Sequence, residues 1–246
     1  MIDLVQPVHL PVPQDVLVGM TTRSGGVSEG AFESLNMGLD VGDNPDHVRT
    51  NRSRVWKSFQ LSEDVLAKPE QVHSARFNLV QSPGVFPATD GLITHESNIF
   101  LTIQTADCLP ILIWTHDGEW LAAIHSGWRG TEQRIPAEVI AFLLSGSGYS
   151  PHEFFVWIGS GLGVCHFEVG PEFASKFDTQ FLNNRNESLY FDNVAAVYDQ
   201  ILRQGIPADN FEVVDECTYC ESGKYFSHRR DKGVTGRMLA VIGRQN

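Results

Sequence analysis

IFLTIQTADCLPILIWTHDGEWLAAIHSGWRG, residues 99–130, holds three short apolar runs separated by polar breaks. Ile99 to Ile103, Pro110 to Trp114 and Trp120 to Ile124 read as strands. Asp117-Gly118 is a strong hairpin signal between the second and third. With those two residues at the centre, facing positions sum to 235, so Pro110 pairs with His125. Cys108 lies two residues beyond Pro110 and therefore shares a sheet face with His125. Cross-strand diagonal neighbours sit roughly 7–8 Å apart, close enough for a shared ion after a modest bend. Pro110 cannot donate to the ladder, which makes a bend there natural.

Outward from this hairpin, strands and helices follow one another along the chain. Val16 to Thr22 reads as a strand and Arg23 to Ser28 as a loop. Asp46 to Phe59 reads as a helix opened by Asn44-Pro45. Glu70 to Val80 reads as a strand with His73 near its beginning. Thr131 is an N-cap candidate for a helix ending near Ser145-Gly146, shortened or kinked by Pro136. Further strands are expected over Phe154–Gly159, Phe211–Val214 and Met238–Ile242, and further helices over Pro171–Leu182 and Val194–Gln204. Hairpins mixed with separate helices indicate an α+β fold with mixed sheets covered by helices. No linker, repeat or low-complexity tract divides the 246 residues, so one domain over 1–246 is expected.

Composition narrows the function classes. A net charge of −12 argues against a nucleic-acid binder, although Arg229-Arg230 could hold one anionic ligand. The start, MIDLVQPVHLPVP, lacks the charged and apolar segments of an export signal, and no apolar run is long enough to span a membrane. Four cysteines in such a chain read as cytoplasmic thiols rather than a disulfide framework.

Gln71-Val72-His73, Thr105-Ala106-Asp107-Cys108 and His125-Ser126-Gly127-Trp128-Arg129-Gly130 each carry one metal ligand or nucleophile. Two imidazoles and a thiolate can hold zinc with a fourth position open, the arrangement of a catalytic site. Two other readings stand beside it: Cys108 as a small buried residue with ordinary histidines, or Cys108 as a nucleophile activated by His125. Asp107 could orient an imidazole or simply hold a turn. Cys217-Thr218-Tyr219-Cys220 is a lone C-x-x-C that could be half a structural zinc site or a redox pair, but a second ligand pair at matching spacing is missing and Cys165-His166 is only a distant candidate. Plain thiols that do not ligate the functional metal are expected there.

The blocks Thr105 to Pro110 and His125 to Gly130 resemble the signature of the YfiH/laccase-domain family, whose members are called polyphenol oxidase, purine nucleoside phosphorylase and peptidoglycan editing factor. Thr21 to Ser28, Ser34 to Gly38, Val41 to Pro45, Asn51-Arg52, Gln71 to His73, Cys217-Thr218, Phe226 to Asp231 and Thr235 to Arg237 extend the resemblance over nearly the whole chain. It implies a fold similar to that of deamidating toxins and one zinc on His73, Cys108 and His125 as the catalytic centre. It also implies phosphorolysis of adenosine, inosine, guanosine and methylthioadenosine, with adenosine deaminase activity. Zinc lowers the pKa of water, which suits attack at C6 of adenine. Phosphorolysis needs phosphate near the ribose C1′ and stabilisation of the departing purine. Arg23 and Arg229 are candidates for phosphate or ribose oxygens because guanidinium offers a bidentate fork, and Asn36 and Gln71 for base or sugar. Arg23 and Arg229 equally suit structural ion pairs, and Asn36 and Gln71 equally suit loop bonds. Purine nucleosides and phosphate are thus the expected partners, with no nucleic acid, membrane or protein partner evident. Ser160 and His228 depart from the family's commoner proline and tyrosine, which touches the substrate loops and not the ligands.

A copper-dependent, laccase-type polyphenol oxidase is the weaker alternative. Nine histidines include no H-x-H pair, and copper can occupy such a site adventitiously because it outcompetes zinc. A Cys-His amide hydrolase that edits mis-loaded peptidoglycan precursors is the stronger one. A metal-dependent interaction module fits least, because the polar blocks converge on one small-molecule site.

Overall fold

The computed structural model describes residues 2–245. In chain order the described strands begin with β1 (Leu4–Val5), β2 (Val16–Thr21), β3 (Leu66–Pro69), β4 (Phe77–Leu79) and β5 (Gly84–Phe86). β6 (Gly91–Thr94), β7 (Phe100–Thr105), β8 (Leu109–Thr115), β9 (Leu121–Ser126) and β10 (Phe154–Ile158) follow. The last are β11 (Glu168–Val169), β12 (Leu182–Arg185), β13 (Ser188–Phe191), β14 (Phe211–Val213) and β15 (Met238–Arg244). Among the described residues four α-helices accompany them: α1 (Pro45–Ser58), α2 (Trp128–Glu132), α3 (Ile135–Gly146) and α4 (Asn193–Leu202).

One six-stranded sheet runs β1-β2-β15-β7-β3-β5 and a second runs β14-β10-β8-β9-β6-β4, both mixed, beside a small antiparallel sheet β11-β13-β12. The architecture is α+β. The two large sheets pack face to face through Met20, Leu101, Ile103 and Ala240 on one side and Leu112, Trp114 and Ala123 on the other. Ile111, Ile113 and Ile124 point the opposite way, onto Val139, Ile140 and Leu143 of α3 and Val197 and Ile201 of α4. Val55 and Trp56 of α1 cover the outer face of the first sheet with Leu66, Phe100 and Val241. β8 is therefore buried on both faces, which explains why Pro110–Trp114 reads as an uninterrupted apolar run. Each such aliphatic side chain contributes roughly 1.5–3 kcal/mol by burial.

The β8–β9 hairpin has the pairing demanded by its turn, Pro110 with His125 and Ile111 with Ile124. Its loop is wider than two residues. Thr115 and Trp120 close it, Gly118 N–H donates to Thr115 O at 2.8 Å, and Gly118 takes the left-handed conformation. The Asp117 carboxylate accepts from Thr115 Oγ1 and the Glu119 N–H. A four-residue loop keeps the same centre as a two-residue one, so the register is unchanged.

Three expected elements differ. The expected strand Glu70–Val80 is a strand only at its end, β4 (Phe77–Leu79); residues 70–76 form a loop after β3, because the backbone of Val72, His73 and Ser74 bonds a carboxylate instead of a strand. The helix after Gly130 is two helices. α2 starts at Trp128, Arg134 breaks it with φ +65°, and Pro136 falls in the first turn of α3, where its missing N–H costs nothing. Pro171–Leu182 forms two short 3₁₀ turns, Pro171–Ser175 and Thr179–Phe181, rather than a helix. Phe173, Phe177 and Phe181 there pack with Phe167 and Phe191 into a separate aromatic cluster. Elsewhere the expectations hold within a few residues; Asn44 caps α1 by accepting from Asp46 N–H, with Pro45 in the first turn.

Candidate metal centre and its cavity

The site lies where the ends of β3, β7 and β9 meet the starts of β8 and β15. His125 is the penultimate residue of β9, and Cys108 immediately precedes β8. His73 arrives from the loop after β3 with φ +60°, a left-handed conformation unusual for a non-glycine residue. The three side chains meet. Their ligand atoms lie within 4.8 Å of one another, with Cys108 Sγ 3.9 Å from His73 Nε2 and the two imidazole rings 4.9 Å apart edge to face.

One carboxylate organises two of the three. Asp90, fully buried in the turn before β6, accepts N–H bonds from His73 at 3.0 Å and Ser74 at 2.7 Å, plus the Ser74 hydroxyl at 2.8 Å. It also accepts from His125 Nδ1 at 2.8 Å, while the Asp90 carbonyl takes the His125 N–H. With Nδ1 donating, Nε2 of His125 carries the lone pair available to a metal. Burial pushes the Asp90 carboxyl up, but the hydrogen bond from His125 and those from Ser74 outweigh it and hold the group at about 2. Burial likewise raises the Cys108 thiol, and the charge of His125 with bonds to both histidines reverses this, to about 6. Gly127 leaves the room these groups need: a Cβ there would stand 2.8 Å from Cys108 Sγ and 3.3 Å from His73 Cδ2. A thiol drawn towards thiolate and two convergent imidazoles, one oriented by a carboxylate, form a donor set that could hold a metal.

A cavity of about 710 Å³ opens over this cluster. Gln71 lines it, its amide clamping the backbone of Gln104 through two bonds of 2.8 Å. Arg229 lines it too, with Nη1 on the carbonyls of His166 and Glu168. Arg23 is not among the lining residues; its guanidinium donates to Glu33 O and Ser222 O and lies over the Phe226 ring. Asn36 is buried away from the cavity, bonding Gly38, Asp43 and the Arg237 N–H. Both therefore occupy loop-securing positions. Asp107 takes the turn reading. It has φ +88°, and its carboxylate accepts from Thr218 Oγ1 and the Arg229 N–H, both at 2.6 Å.

Sequence reading missed Asp90, Arg129 and Arg237. Arg129 reaches the cavity from α2, stacked on Trp128. Arg237 borders the cavity and bonds the carbonyls of Thr235 and Gly236; burial lowers its pKa, opposed by the negative charge of Cys108 and Asp107. The signal for Arg237 was its place in Thr235-Gly236-Arg237, a block that matched the family without an assigned role. Ser126, Thr131 and Asn193 form a buried hydrogen-bonded group that fixes the start of α2 against α4.

A family model described as multi-copper polyphenol oxidoreductase laccase matches residues 17–245. The chain belongs to the YfiH/laccase-domain family. Purine nucleoside phosphorylase YlmD of Geobacillus stearothermophilus is 34% identical over 93% of this chain and 90% of its own. Purine nucleoside phosphorylase YfiH of Escherichia coli is 35% identical over 94% and 95%. The crystal structure of the Geobacillus YlmD superposes with a TM-score of 0.90 at 33% identity, covering 95% of this chain and 93% of that one. Among the described residues of this family member, no helix is long and apolar enough to cross a membrane.

Proposed function

We propose that the chain is a cytoplasmic, zinc-dependent purine nucleoside phosphorylase, folded as one domain over residues 1–246. It acts on adenosine, inosine, guanosine and methylthioadenosine, and deaminates adenosine at the same centre. The observation that carries this reading is the convergence of His73, Cys108 and His125 on a cavity that Arg129, Arg229 and Arg237 also line. The guanidinium groups of Arg229 and Arg237 donate to backbone carbonyls beside the cavity. Arginines whose guanidinium groups make no carboxylate ion pair suit an anionic co-substrate such as phosphate.

His73, Cys108 and His125 hold the zinc; a thiolate with two imidazoles suits that ion, and copper would enter as a competitor. When bound, the metal supplies Lewis acidity and a water of lowered pKa. Asp90 keeps Nδ1 of His125 protonated and fixes the backbone of His73, so both ligands are aimed before metal or substrate arrives. Arg229 and Arg237 bind phosphate and ribose oxygens, and Gln71 shapes the wall through Gln104. Asn36 and Arg23 support the loops behind that wall. The test is to incubate metal-quantified protein with adenosine or inosine, with and without phosphate, and separate the products. Phosphate-dependent release of free base supports the reading; inertness towards every purine nucleoside with zinc bound rejects it.

One observation favours a second reading. Cys108, His125 and Asp90 form a linked thiol–imidazole–carboxylate series of the kind that activates a cysteine nucleophile. Amide cleavage that persists after complete metal removal would identify that hydrolase.

A further inference from the structure

Cys165-His166 and Cys217-x-x-Cys220 are more than fifty residues apart in sequence and meet in space. The segment after β10 runs beside the segment after β14, with a parallel bridge between Gly161 and Cys217 and a 2.9 Å bond from Thr218 N–H to Gly161 O. The Cys165, His166, Cys217 and Cys220 ligand atoms consequently lie within 4.8 Å of one another, a group separate from His73, Cys108 and His125.

We propose that these four residues form a second zinc site, a closed Cys₃His structural centre, in addition to the one in the cavity. Three sulfurs and one imidazole are the donor set of structural zinc sites, which are four-coordinate and leave no open position. The spacings fit. With zinc–sulfur bonds of about 2.3 Å, the edge of a regular tetrahedron is roughly 3.8 Å. Cys165 Sγ and Cys220 Sγ are 3.7 Å apart, and His166 Nδ1 is 3.3 Å from each. The same 3.7 Å is far from the roughly 2.0 Å of a disulfide, and all four cysteines are free.

The surroundings are those of a metal knuckle. The Gly163 N–H donates to Cys217 Sγ at 3.2 Å, and the N–H groups of Tyr219 and Cys220 turn towards the same sulfur. Such bonds stabilise a thiolate ligand. Tyr219 stacks on the His166 ring at 3.9 Å and 14°, fixing the plane of the imidazole with Nδ1 towards the sulfurs. A Cβ on Gly163 would press on Cys217 Cβ at 3.1 Å and on Cys165 Sγ at 3.3 Å, so glycine lets the two strands of chain close.

The site would pin two loops to the wall of the cavity. Arg229 bonds His166 O and Glu168 O, while Arg230 bonds Thr218 O and Tyr219 O. Both halves of the centre are thereby tied to the Arg229-Arg230 segment.

Metal counting tests this without reference to any activity. Full-length protein purified anaerobically with zinc supplied should carry two zinc ions per chain by native mass spectrometry and elemental analysis. C108A should carry one, and C165S/C220S should carry one. Cobalt(II) added to metal-free C108A should give intense thiolate-to-cobalt charge transfer and tetrahedral ligand-field bands. Introducing C165S/C220S into C108A should abolish both; these two cysteines are exposed, which keeps the folding cost of serine small. No zinc retained by C108A, no tetrahedral cobalt spectrum in C108A, or a Cys165–Cys220 disulfide in the anaerobic protein would overturn the proposal; one zinc in wild type that C108A keeps would instead speak against the cavity zinc.

Discussion

Two histidine–cysteine clusters lie on either side of the segment 227–230, and they are built in opposite ways. The cavity cluster has three donors, one of them exposed, and draws its order from a buried carboxylate that bonds His73 and His125. The Cys165–Cys220 cluster has four donors and no carboxylate in its bonds; backbone N–H groups and a stacked tyrosine order it instead. Three donors beneath an open cavity leave room for a reacting molecule, whereas four donors close around an ion. The difference separates a place where chemistry can happen from a place where two loops are held.

The sharpest way to break this comparison is Cys108→Ala. The cavity metal should be lost and phosphorolysis should fall to background, more than the roughly 10–100-fold that follows loss of an outer partner. Thermal unfolding should move little, because the three-donor cluster rests on β8 and β9, which are secured by the core on both faces. A C108A protein that keeps full activity would remove the distinction between the two clusters.

Asp90→Asn sharpens the same comparison from behind the ligands. The amide can still accept from the His73 and Ser74 backbone but lacks the charge that holds His125 Nδ1 protonated. Metal affinity or activity should fall roughly 10–100-fold. Stability should fall by about 1–3 kcal/mol as a buried charge-assisted bond is lost, read by denaturant titration with unchanged slope. Activity equal to wild type would show that the His73 loop and His125 aim themselves without the carboxylate.

How much of this was legible in the sequence follows from which contacts are local. The β8–β9 register could be read because a hairpin's centre fixes its pairing whatever the loop length, so Pro110 opposite His125 survived a wider turn than expected. Cys108 and His125 came with it. His73 stands out as a candidate ligand from its residue type and then by resemblance, while its backbone departs from the expected strand. Alternation over Glu70–Val80 suggests a strand, and nothing local reveals that Asp90 captures those N–H groups. Asp90 itself stands in Thr89-Asp90-Gly91, which reads as an ordinary turn. Phe173, Phe177 and Phe181 have helical spacing yet pack by way of 3₁₀ turns onto Phe191, since the aromatic cluster and not the backbone ladder decides their positions. The four-donor cluster is only half legible for the same reason: Cys217-x-x-Cys220 suggests half a zinc site, but Cys165-His166 belongs to another loop and meets it only by tertiary pairing.

A matched glycine pair compares the two clusters at smaller amplitude. Gly127 has φ −77°, so alanine there meets no backbone strain, only Cys108 Sγ at 2.8 Å. Gly127→Ala should weaken the cavity metal by about tenfold, near the low end for disturbed metal surroundings, with little change in melting temperature. Gly163→Ala meets softer contacts of 3.1–3.3 Å and should lower zinc retention in the second cluster by less. Competition with a chromophoric chelator reads both; a larger effect at Gly163 would mean the four-donor cluster is the more tightly packed of the two.

The smallest expected effect concerns the arginines that face, or fail to face, the cavity. Arg229 and Arg23 are both tied to carbonyls, but only Arg229 lines the cavity. Replacing Arg229 by Gln removes a charge from the wall and should raise the KM for phosphate more than it lowers kcat. Arg23→Gln removes a charge whose donors already serve Glu33 O and Ser222 O and whose face covers Phe226. Its cost should fall on the loop, seen as a lower melting temperature, while the KM for phosphate stays within about twofold of wild type, the scale of a substitution remote from the chemistry. Initial rates at varied phosphate and saturating inosine decide the matter. A phosphate KM that rises as steeply for R23Q as for R229Q would place Arg23 at the anion after all, and would mean that the loop 23–28 closes onto the cavity when substrate binds.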